Sequence, residues 1–293
     1  MADILIKDKR LLNAALAVQQ KEITEYFVYM GLAKICKDPH NAEVLRKVGM
    51  AELDHAKFWR TRTGVEPHPQ GFKVWRTILV ARILGLTFTL KRMEKNEGTA
   101  SRTYFDLTED FPEVKGFSED EADHEKQLLA MLDEERLQYA GSIVLGLNDA
   151  LVELTGALAG FTLALGETKL ISLAGLVTGI SAAFSMAASE YLSCKADNDP
   201  KAAKSAVYTG TAYIITVAVL ILPFLLIANK FLALGITLAL AVFIILIFNY
   251  YLSTAKDLDF KRRFGEMTLI SLGVAALSFG VGFVLKNVLG VDA

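Results

Sequence analysis

From Tyr139 onward the chain is a succession of uncharged apolar runs separated by short polar loops. Ser205–Asn229 and Phe231–Ala255 carry no charged residue, and Met267–Leu285 is a shorter run of the same kind. A bilayer core takes about 20 apolar residues of helix, so each run reads as a membrane span. Leu170–Ser193 is interrupted only by Glu190, and Tyr139–Gly166 only by Asp149 and Glu153. The pattern predicts five spans, the first two of them carrying acidic residues.

Before Tyr139 the pattern is polar and helical, without strand-like alternation. A first helix is predicted from about Asp8 to Cys36. DPHN then marks a turn, with Asp38 as a cap and Pro39 in the first turn of a second helix. That helix ends near Thr63, where Gly64 and PHPQG follow. A long third helix is expected over Phe72–Leu107, and a fourth restarts at Asp110 and Pro112 and continues towards Ala140. The fold class is therefore all-α, a four-helix bundle followed by a five-helix membrane domain. VWRTILVARILGLTFTL resembles a sixth span, but Arg76 and Arg82 interrupt it, and the better reading is a contact with a second copy of the bundle.

Charge sharpens the division. Of the 64 Lys, Arg, Asp and Glu residues among 293, 44 lie in the first 140 positions, so residues 1–135 read as a water-soluble domain and 136–293 as a membrane domain. MADILIKDKRLLN lacks the apolar core of a signal peptide. The loop after the second span carries Lys195, Lys201 and Lys204, and that after the fourth Lys256, Lys261, Arg262 and Arg263. By the positive-inside rule these loops and the N-terminal domain face the cytoplasm, and five spans put the C-terminus outside. Cys36 and Cys194 then lie at the reducing side, where no disulfide is expected. A net charge of −2 argues against a nucleic-acid partner.

The candidate chemistry begins with a repeated motif. E-x-D-H occurs at Glu52/His55 and again at Glu121/His124. Residues three apart share one helix face, and a di-metal bundle needs such a pair from each of two helices and one Glu from each of the others. The first helix offers Glu22, with Tyr29 two turns on; Glu25 fits the periodicity equally, and the tyrosine favours Glu22. The third offers Glu97 with Tyr104 at the same offset, and Glu94 one turn earlier. Ser118 and Glu121 also fit a capping box, which gives Glu121 a purely structural alternative.

The second candidate site lies in the spans. A carboxylate within a bilayer costs about 2.5–3.5 kcal/mol even on the lenient insertion scale. Asp149 and Glu153 are four apart, as are Met186 and Glu190. A path lined by carboxylates and a thioether suits Fe2+ or Mn2+, and the carboxylates can take up protons when the metal leaves.

MAELDHAKF, MEKNEGTASRTYF and EADHEKQLL resemble the ferritin-like, rubrerythrin-type di-iron domains, over roughly residues 5 to 135. The resemblance implies iron held by Glu22, Glu52, His55, Glu94 or Glu97 or both, Glu121 and His124. A rubredoxin-type cysteine knuckle is missing, which weighs against a peroxidase. VLGLNDALVELTGALAGF and SMAASEYLS are similar to the vacuolar iron transporter family, over about residues 135 to 290. That likeness implies export of Fe2+ in exchange for protons, with an ion path at Asp149, Met186 and Glu190, to which Glu153 is added from its spacing. The family's eukaryotic members carry a long cytosolic insert where this chain has only KADNDPKAAK. The whole chain resembles the fused membrane-bound ferritin type of prokaryotes, which implies a homodimer in a prokaryotic plasma membrane.

Two functions follow as expectations. The first is a ferrous-iron exporter whose bundle captures or senses iron and passes it to the pore, with ferroxidase turnover at the di-iron (Fe2+/Fe3+) site as an added possibility. The alternative is a membrane-anchored di-iron oxidase or peroxidase.

Overall fold

The computed structural model describes residues 5–97, 111, 113–130 and 139–289, and all regular structure among them is helical. The chain divides into two compact units, Met1–Glu134 and Glu135–Ala293.

In the first unit, α1 (Lys9–Ile35) starts where the Asp8 carboxylate accepts the N–H groups of Arg10 and Leu11. It ends at Cys36, whose extended backbone leads into a second cap. There Asp38 accepts from the N–H of Asn41, and Pro39 fills the first position of α2 (Pro39–Thr63), where no N–H is needed. Gly64 stops α2 at φ 70°, the left-handed conformation that costs glycine nothing. The short link folds α2 back along α1: Ile6 N–H donates to Arg62 O at 3.0 Å, and Gln19 Nε2 to Val65 O at 2.7 Å.

The third helix departs from the expected single rod over Phe72–Leu107. It is broken into α3 (Gly71–Leu84) and α4 (Leu86–Glu97) by Gly85, at φ 97°. Only a residue without Cβ sits there cheaply, so the break is written in one glycine that an apolar pattern reads through. The remainder of that expected helix, with Tyr104, lies outside the described residues. α5 (Val114–Ala130) packs on α2. Its expected start at Asp110 and Pro112 and its run to Ala140 also fall outside the described residues.

Two apolar clusters hold this unit. Val28, Tyr29 and Leu32 of α1 meet Leu45 and Val48 of α2, with Ala81 and Leu90 added from α3 and α4. Ala15, Val18, Trp59 and Val114 form the other. Along α1 and α2 these clusters are separated by a polar stretch that contains Glu22, Glu52 and His55.

In the second unit five helical segments are long and apolar enough to cross a membrane: Ala140–Ala164, Thr168–Ala196, Ala202–Leu226, Lys230–Ala255 and Phe260–Val288. The first is not one regular helix. α6 (Ala140–Asp149) passes through a π-turn, Ala150–Leu154, into α7 (Thr155–Ala164). The others are α8 (Thr168–Ala196), α9 (Ala202–Leu226), α10 (Lys230–Ala255) and α11 (Phe260–Leu289). α11 starts seven residues before the uncharged run and takes in Lys261, Arg262 and Arg263.

The core of this unit gathers Leu151, Leu154 and Leu158 of the first span with Tyr213, Val217, Leu220 and Phe224 of α9. Close approach depends on glycine: a Cβ on Gly146 would overlap the backbone carbonyl of Thr209, and one on Gly282 would lie 2.7 Å from Gly160 O. Such packing through small residues is how spans associate where lipid offers no hydrophobic drive.

Candidate metal centre and ion path

In the first unit, α1 and α2 bring Glu22, Glu52 and His55 together, each offering a ligand atom within 4.8 Å of the others. His55 Nδ1 lies 3.8 Å from Glu22 Oε2 and 3.6 Å from Glu52 Oε2. The other oxygen of Glu52 faces His124 Nδ1 of α5 at 3.5 Å. Glu52 thus presents one oxygen to each of two imidazoles whose centroids are 6.4 Å apart. Glu22 and Glu52 are essentially fully buried. Glu52 Oε2 and His55 Nδ1 have no hydrogen-bond partner among the described residues. Two ligands of one ion, each with a bond of about 2.0–2.2 Å, stand roughly 3–3.6 Å apart. The donor set of carboxylates and imidazoles therefore fits a transition metal such as iron.

The electrostatics of this buried cluster are set by its two carboxylates. Burial, reinforced by Glu52, pushes the Glu22 carboxyl up to about 8. Burial opposes ionisation of Glu52 as well, but the neighbouring Glu22, His124 and His55 side chains outweigh it and hold that carboxyl well below the usual range. For His55, burial favours the neutral ring, yet the carboxylates of Glu22 and Glu52 win and push it up to about 10. At neutral pH Glu22 and His55 therefore both keep their protons.

Of the seven residues expected to ligate iron, the structure gathers Glu22, Glu52, His55 and His124. Glu94 pairs with Lys91 at 3.3 Å. The side chains of Glu97 and Glu121 lie outside the described residues. Glu25, the periodic alternative to Glu22, pairs with Lys21 at 3.1 Å. Asp120 went unnoticed in the sequence, although it directly precedes the second E-x-D-H. Its Oδ2 lies 3.6 Å from His55 Nε2, the nitrogen turned away from the cluster. At that distance the carboxylate faces the ring without a hydrogen bond to it. Phe117 stacks on the same ring at 4.1 Å.

In the second unit Glu153 and Glu190 have polar partners from other spans. Asp149 immediately precedes the π-turn and lies four residues from Glu153 on the first span. Glu153 Oε2 accepts from the Tyr213 hydroxyl of α9 at 2.9 Å. Glu190 Oε1 on α8 accepts from Ser142 Oγ of α6 at 2.7 Å, with Cys194 Sγ at 3.7 Å. Met186, one turn before Glu190, packs partly buried against the core. Tyr213 and Ser142 are contacts that sequence spacing does not reveal, since they arise between spans.

A model of the VIT family matches residues 140–204, which contain Asp149, Glu153, Met186 and Glu190, and the match points to metal-ion transport across a membrane. No curated protein matches the chain.

Proposed function

We propose that this chain exports ferrous iron from the cytoplasm in exchange for protons, with Mn2+ carried by the same chemistry. Residues 1–135 are read as a ferritin-like, rubrerythrin-type four-helix domain that captures or senses iron, and residues 136–293 as the membrane domain that passes it outward. The observation that carries the transport reading lies inside the segment matched by the VIT family. There, carboxylates of two neighbouring spans are kept in place by hydroxyl donors, an arrangement without use in a lipid anchor. Asp149, Glu153, Met186 and Glu190 line the path. Their oxygens and thioether suit a divalent transition metal, and their carboxylates exchange it for protons.

In the N-terminal domain, iron is assigned to Glu22, Glu52, His55 and His124, completed by Glu121 and by Glu94 or Glu97. Bound there, iron supplies one-electron redox chemistry. The protein's own contribution is a buried layer between two apolar clusters, a Glu52 that would hold metal together with His55 and His124, and a His55 ring stacked on Phe117. In this reading two copies assemble in a prokaryotic plasma membrane, with the N-terminal domain cytoplasmic and the C-terminus outside.

A second reading, a membrane-anchored di-iron oxidase or peroxidase, draws on the burial of Glu22, Glu52 and His55. One experiment separates the two. Ferrous iron is presented to proteoliposomes that contain a ferrous-quenched dye and carry an imposed proton gradient, for wild type, Asp149→Ala, and the pair Glu52→Ala/Glu121→Ala. Transport predicts quenching that is lost with Asp149→Ala and weakened by the paired change. Intact, inserted protein without quenching would leave only the oxidase.

A further inference from the structure

The π-turn Ala150–Leu154 lies inside the first span, immediately after Asp149 and around Glu153. Such a turn disturbs the i→i−4 ladder and persists where other groups satisfy the carbonyls it leaves. Here the Leu151 carbonyl accepts the hydroxyl of Thr155 and, at 2.9 Å, that of Ser271 on α11. Thr155 and Ser271 are both buried, and their oxygens lie 3.4 Å apart. A carbonyl that takes one hydroxyl from its own span and a second from the fifth is a built feature, because each unsatisfied polar group in hydrocarbon carries a cost of several kcal/mol.

The turn widens the helix by one residue and re-aims the side chains on it. Glu153 is exposed on the surface of the single chain, yet its carboxylate is tied inward by the phenol of Tyr213. The Tyr213 ring is fully buried in the apolar core, where phenylalanine would pack equally well; only the hydroxyl reaches the acid. Asp149 is the residue on which the π-turn begins, four positions before Glu153 on the same span.

We infer that Tyr213 and Ser271 are positioning residues for a divalent cation. Ser271 pins the π-turn, and Tyr213 fixes the Glu153 carboxylate beside Asp149, so that both acids face one ion. This rests on the transport reading and adds to it two side chains from the third and fifth spans. Without the two anchors, Glu153 samples its other rotamers and the pair is seldom set for binding.

The test is Mn2+ uptake by the full chain in proteoliposomes. Tyr213→Phe removes one oxygen and is expected to raise KM about five- to tenfold, with the maximal rate within about twofold of wild type. Ser271→Ala is expected to do the same, and Ser271→Thr, which keeps the hydroxyl, to restore the wild-type KM. Adding Tyr213→Phe to Glu153→Ala, which leaves the phenol no carboxylate to hold, should change KM no further. An unchanged KM in Tyr213→Phe, or effects of the two substitutions that multiply, would overturn the inference.

A second measurement does not depend on transport. In a Glu22→Gln background, which silences the other metal centre, Mn2+ is expected to raise the melting temperature of the detergent-solubilised chain. Tyr213→Phe should reduce that rise, and a rise equal to the parent's overturns the proposal. A parent that shows the rise but no uptake sinks the transport reading alone.

Discussion

His55 Nδ1 faces Glu52 Oε2 across 3.6 Å, one turn apart on α2 and buried, with no hydrogen bond joining them. The gap is too long for a bond between the residues and suited to a shared cation. It is bordered by two acids in opposite states: Glu22 holds its proton at neutral pH and Glu52 does not.

That asymmetry predicts different outcomes for two similar substitutions. Glutamine resembles the protonated Glu22, so Glu22→Gln should leave the metal-free fold within about 1 kcal/mol of wild type. Glu52→Gln removes the anion that faces both His55 and His124 and strands a buried imidazolium, which costs about 3–5 kcal/mol. Both should lower metal affinity severely. Chemical unfolding of the metal-free chain reads the difference, and equal destabilisation by the two would refute the assignment of charge.

The pH dependence has a definite sign. His55 is raised from 6.5 to about 10 and Glu22 from 4.5 to about 8. Both groups bind protons more tightly folded than unfolded. Their contribution to stability is therefore complete below the unfolded values and is lost as pH rises, through 8 for Glu22 and through 10 for His55. Glu52, whose carboxyl is lowered, acts oppositely and loses its contribution in acid. A metal competes with the first two protons, so affinity should climb from pH 6 towards 10. At pH 7 binding should release about two protons. Titration calorimetry in buffers of different ionisation heat, with Asp149→Ala to silence the membrane path, counts them; no released protons would contradict this electrostatic picture.

What could be read in the sequence follows from how local each signal is. Uncharged runs mark the spans because burial in lipid excludes charge along the whole segment. Asp38, Pro39 and Gly64 mark helix ends because capping is decided within four residues. Glu52 and His55 share a face by spacing alone. The break at Gly85 was not legible, since glycine in an apolar run is tolerated in a helix and only its φ of 97° reveals the stop. The π-turn was not legible either: no residue in ALVEL demands it, and the hydroxyl that stabilises it belongs to Ser271, 120 positions away from Leu151. Tyr213 and Ser142 escaped for the same reason, being partners across spans.

Gly85 itself gives a stability prediction. At φ 97° and ψ 164° a side chain is strained, by about 1–3 kcal/mol, so Gly85→Ala should lower the unfolding free energy of the first unit by that amount and its midpoint with it. Gly71→Ala is the control, because a Cβ at Gly71 meets nothing within 4 Å and its φ is ordinary. Helical signal followed against denaturant would decide it, and equal midpoints for the two variants would remove the role given to Gly85.

Gly146 offers the corresponding test among the spans. Its missing side chain lets α6 approach the backbone of α9 so closely that an added Cβ would overlap Thr209 O and lie 3.0 Å from Thr209 C. Backbone atoms cannot swing aside as a long side chain can, so Gly146→Ala must push the two spans apart. One turn earlier the Thr209 hydroxyl donates to Ser142 O at 3.0 Å, and Ser142 Oγ in turn holds Glu190. Separation at Gly146 therefore reaches a carboxylate of the ion path through two hydrogen bonds. The expected cost is about 1–3 kcal/mol, seen as a lower melting temperature in detergent together with slower metal uptake. Gly141→Ala, on the same helix with nothing within 4 Å of its Cβ, should match wild type in both. If Gly146→Ala matched it too, the close contact between the first and third spans would have no part in holding Glu190.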